Sequence, residues 1–136
     1  MNQSNKGKEK EYVLTLDKEQ AGVLSRACEF YLRVFLGQFN EIAFELLLFQ
    51  DDDINKWSYR REKAEEALLN ARSYIYPELH GTGHSYGVGK FRCADIAYNI
   101  HQVLRHALGD ERSPYALFDT TLPGIEVKEA ESNADS

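Results

Sequence analysis

The chain has 136 residues, 43% of them hydrophobic and 28% charged, with a net charge of -6. That length suits one domain with a single core, and the balance excludes wholesale disorder, a membrane span and a basic coat for bulk nucleic acid. Two cysteines far apart, Cys28 and Cys93, make neither a disulfide framework nor a zinc pattern and suit a reducing cytoplasm.

The opening residues, 1–10, are polar and aperiodic and are expected to be disordered, with no apolar segment of a secretory signal. Tyr12-Val13-Leu14-Thr15-Leu16 alternates and predicts a short strand. Asp17 then predicts a helix N-cap, with Gln20 placed to reach back. An apolar series at helical spacing follows: Ala21, Leu24, Cys28, Tyr31, Phe35, Phe39, Ile42, Leu46 and Phe49. A second ridge, Val23, Ala27, Phe30 and Val34, is expected to widen the buried face. Unbroken, residues 18–49 would make a rod of ~48 Å. That exceeds the width of such a domain, so a bend near Gly37 or burial in an oligomer is expected.

The acids Asp51-Asp52-Asp53 introduce a second helix, with Trp57, Ala64, Leu68, Ala71, Tyr74 and Ile75 along its stripe and Pro77 as its stop. A third spans about 93–108, ended by Gly109. Tyr115 to Phe118 and Ile125 to Val127 predict a C-terminal hairpin, and 129–136 an acidic disordered tail. The expected fold is therefore α+β, a single domain over 11–128. It has three main helices and a small antiparallel sheet formed by the N-terminal strand and the C-terminal hairpin.

Charge is unevenly placed. Residues 70–109 hold Arg72, Lys90, Arg92 and Arg105 against only Glu78 and Asp95, together with all four histidines. Within that window lies the most unusual segment, 77–92, which carries four of the nine glycines. Backbone amides of Gly81, Gly83, Gly87 and Gly89, leading into a helix start, predict an anion-binding loop. His80, Thr82, His84, Ser85, Lys90 and Arg92 would add donors or charge, and Tyr86 or Tyr98 could stack on a base. His101 and Arg105 are expected either to close this pocket or to border a solvated face. The spacing excludes both a P-loop and the dinucleotide-binding glycine pattern. A ligand-free connection between helices, a zinc site on His80 and His84, and acid–base hydrolysis by the same pair are the competing readings. No metal or cofactor is assigned.

The segments YVLTLDKEQAGVLSRACEFYLRVFLGQFNEI and YIYPELHGTGHSYGVGKFRCADIAYNIHQVLRHAL resemble a family of small proteins encoded by phages and prophages, over roughly residues 11–110. Leu36 to Phe39 and Asp95 to His106 carry most of the similarity. That resemblance implies a viral protein at work in the host bacterial cytoplasm, where small phage proteins include sponges for nucleotide immune signals. The expected function is thus anti-defence sequestration, by a homo-oligomer and without turnover, of an anionic nucleotide such as a cyclic or ADP-ribose-type signal. A protein–protein inhibitor or phage accessory protein acting through its helical faces is the first alternative. A histidine-dependent phosphodiesterase or nuclease is the second.

Overall fold

The computed structural model describes residues 10–48, 50, 54–81, 83–109 and 125–128. Among the described residues four helices account for the regular structure: α1 (Lys18–Phe35), α2 (Asn40–Leu48), α3 (Ile54–Ile75) and α4 (Arg92–Ala107). No strand occurs among the described residues, so the expected α+β class is overturned and the fold is helical. Tyr12 to Leu16 carries no regular secondary structure, and Tyr12, Val13 and Leu14 stand largely exposed. Alternation makes a strand only where a second strand supplies the ladder. Ile125 to Val127 is likewise not a strand, and Tyr115 to Phe118 lies outside the described residues.

The start of α1 follows from its sequence. The Gln20 amide donates to Asp17 Oδ1 at 2.7 Å, and the Asp17 amide donates to Gln20 Oε1 at 2.9 Å, a reciprocal capping box. The end of α1 shows why the expected rod is two helices rather than one. Gly37 has φ +94°, its amide donates to Val34 O at 3.0 Å, and the Gln38 amide donates to Arg33 O at 2.9 Å. This is a Schellman stop, and it requires the left-handed conformation that glycine adopts without penalty. Leu79 packs so closely that a Cβ on Gly37 would lie 2.5 Å from its Cδ1. The bend expected near Gly37 is therefore a complete termination.

α4 runs antiparallel to α1, as the pairs Ser25 with His101 and Phe35 with Phe91 show. α2 turns back onto α3, where the Trp57 indole donates to Leu47 O at 3.2 Å and Arg61 stacks over Phe44 and Trp57. The buried apolar residues are Leu36, Phe39, Ala43 and Leu47 at the α1–α2 corner and on α2, and Ala94, Ala97, Val103 and Leu104 on α4. The second ridge of α1 does not join them. Val23 is 52% exposed and Ala27 is exposed, with Phe30 and Val34 only half-buried, so this ridge faces outward. Tyr74, expected to pack, is 82% exposed. α3 does end at Ile75, ahead of Pro77.

Candidate functional site

The glycine-rich loop between α3 and α4 is organised from below by Arg72, in the last turn of α3. Its guanidinium is buried at 3% exposure. Nη1 donates to Gly37 O at 3.0 Å and to His84 O at 2.9 Å, while Nη2 donates to Gly81 O. Among the described residues this cation meets carbonyl dipoles and no carboxylate. A planar fork with several N–H groups can reach carbonyls from two segments at once, and here Nη1 and Nη2 do so while the buried Nε finds no partner among the described residues. The loop is thereby tied both to α3 and to the α1–α2 corner.

Further bonds complete the brace. The Tyr86 amide donates to Leu36 O at 2.8 Å, and the Tyr76 hydroxyl donates to Phe35 O at 2.7 Å. The rings of Tyr76 and Tyr86 meet edge-on at 5.2 Å, and Phe91 joins both Tyr86 at 5.5 Å and Phe35 at 5.1 Å. Such pairs add roughly 0.5–1.5 kcal/mol each beyond their burial. Lys90 lays its ammonium over the Tyr86 ring at 4.9 Å. A hydrogen bond to Glu78 pushes the Tyr86 hydroxyl up to about 12, and the same bond holds the Glu78 carboxyl below its ordinary value.

At the head of α4, the Gly89 amide points at Asp95, 3.0 and 3.2 Å from its two carboxylate oxygens. Gly89 has φ +92°, a conformation that lets the chain present this amide. Asp95 is itself buried at 6% exposure. The amide expected to receive a ligand anion is thus occupied by an internal carboxylate, and the carbonyls of Gly81 and His84 turn inward to Arg72.

The expected site residues fall into two groups. His80, Gly81, Gly83, His84, Ser85, Gly87, Gly89, Lys90 and Arg92 are all exposed on or beside the loop, with Tyr86 half-buried among them. Thr82 lies outside the described residues. His101 does not face the loop, because it sits two and a half helical turns further along α4, about 14 Å from Arg92 at helical rise. There its Nδ1 lies 2.9 Å from Ser25 O and 3.0 Å from Ser25 Oγ on α1. A carbonyl only accepts, so Nδ1 carries the proton. Nε2 lies 3.8 Å from Glu29, which Arg33 also engages at 3.1 Å. Burial pulls the imidazole below its ordinary value and outweighs the opposing pull of Glu29. Tyr98 and Arg105 are half-buried on the same helix, and Arg105 lies a further turn beyond His101.

Among the described residues no three histidine, cysteine, aspartate or glutamate side chains gather as a metal site would need. Two concavities lie away from the loop. One, of about 250 Å³, is lined by Glu29, Arg33, Glu41 and Glu45 with Phe30 and Phe44. The other, of about 280 Å³, is an apolar groove between α1 and α4. In the sequence alone Arg72 stands out only as one cation in a basic window. Its place in the last helical turn before a glycine-rich segment was the available signal. Ser25 and Glu29 carried none, since their pairing with His101 exists only once α1 and α4 pack. No family model, no curated protein and no solved structure matches the chain.

Proposed function

We propose that the protein binds an anionic, nucleotide-type ligand on the outer face of the 77–92 loop and holds it without turnover. The observation that carries this reading is the Arg72 brace. It fixes a glycine-rich loop whose outward side chains include His80, His84, Lys90 and Arg92. A recognition loop held in one conformation loses less entropy on binding than a free one, which favours affinity from few contacts. The resemblance to phage proteins suggests sequestration of a host signal as the purpose.

The test mixes the protein with cyclic and ADP-ribose-type nucleotides, measures binding by calorimetry, and then heats the complex to release its contents. Intact ligand recovered from the wild type, with binding lost in Lys90→Ala/Arg92→Ala, supports the proposal. An altered product moves the reading to hydrolysis. No binding across the set moves it to a protein inhibitor.

A further inference from the structure

The outward ridge of α1 has a register that a solvated helix face does not need. Within α1, Gln20, Val23, Ala27, Phe30 and Val34 follow steps of three and four, the 3.5-residue repeat of helices that pack along a seam. Beside this ridge the groove between α1 and α4 is lined by Ala27, Cys28 and Tyr31 on one side and by Cys93, Ile96 and Ile100 on the other, without a charged residue. Val23 and Tyr31 remain 52% and 47% exposed, and neither α2 nor α3 lines the groove. Two antiparallel helices with a shared apolar outer face form half of a four-helix bundle.

We propose that a second copy of this chain covers that face, in a two-fold symmetric dimer in which the α1–α4 layers of the two copies stack into a four-helix bundle. The size fits. Helices of 18 and 16 residues are about 27 and 24 Å long, and side by side they present on the order of 500 Å² in projection. Corrugation by side chains brings this near the ~800 Å² of accessible surface that each partner buries in a standard interface. A two-helix layer is also self-complementary under two-fold rotation, as an isologous interface requires.

Sedimentation equilibrium at concentrations up to about 100 µM tests the proposal. The wild type is expected at twice the chain mass. Ala27→Glu places a carboxylate from each copy in the seam and is expected to raise the dimer Kd on the order of 100-fold or more. Ala27 is exposed in the single chain, so far-UV circular dichroism of this variant should keep its helix content, and Val23→Glu provides an independent repeat. A wild type that sediments as one chain overturns the dimer and leaves the face to another protein or to residues 110–124 of the same chain. A dimer with unchanged Kd in both folded variants overturns the choice of face.

Discussion

His101 and Asn99, two residues apart on α4, put opposite demands on the same interior. The His101 ring faces Ser25, Glu29 and Arg33 on α1 and feels Arg105 on its own helix. Because burial lowers its proton affinity below the ordinary 6.5, the unfolded chain binds the proton first as pH falls. Its contribution to stability is full above about pH 6.5 and is lost as pH drops through the folded-state value. Urea midpoints measured from pH 7.5 down to 5 should fall for the wild type, and the slope should flatten in His101→Asn, which keeps a donor near the position of Nδ1. Glu78 titrates in a lower window, since its folded-state value lies below 4.5, and does not interfere. Asn99, at 1% exposure, has neither side-chain amide atom hydrogen-bonded among the described residues. Unsatisfied buried groups cost roughly 1–3 kcal/mol, and an apolar residue of similar volume removes that penalty. Asn99→Leu is therefore expected to stabilise the protein by about 1–2 kcal/mol in denaturant unfolding, and a loss would show that the amide has a partner.

At the scale of elements, the loop should behave as part of the packed structure. The amides of Tyr86 and Gly89 are bonded to Leu36 O and to Asp95, so both should exchange slowly with deuterium despite lying outside any helix. Arg72→Met strips the donor from three carbonyls, and a loss of about 3 kcal/mol together with fast exchange at both amides is expected. Arg72→Lys keeps the charge but not the fork and should restore only part of the protection. The helix boundaries were legible where the chain carries its own chemistry: Asp17 with Gln20 at one start, Pro77 after one end, Gly109 after another. The strand expected over Tyr12 to Leu16 does not form, because alternation alone supplies no ladder partner, and none pairs with it among the described residues. The ridge from Val23 to Val34 suggests burial for a related reason. Periodicity reveals that a face is apolar but says nothing about which molecule covers it.

For the whole molecule, the proposed pairing of copies makes stability depend on protein concentration. If copies pair through α1 and α4, the melting temperature of the wild type should rise with protein concentration, while that of Ala27→Glu should not. The site was legible as a segment, since 77–92 was singled out by its glycines, but its internal order depends on contacts 35 and 12 residues away, at Gly37 and His84. Arg72 joins the α1–α2 corner to the 77–92 loop, stretches of chain that are far apart in sequence. The surface proposed to meet a ligand exists only in a finished molecule. Any compound captured there draws on the folding equilibrium of the entire chain, so unfolding by heat or denaturant should become harder everywhere at once, including in helices that never touch the guest.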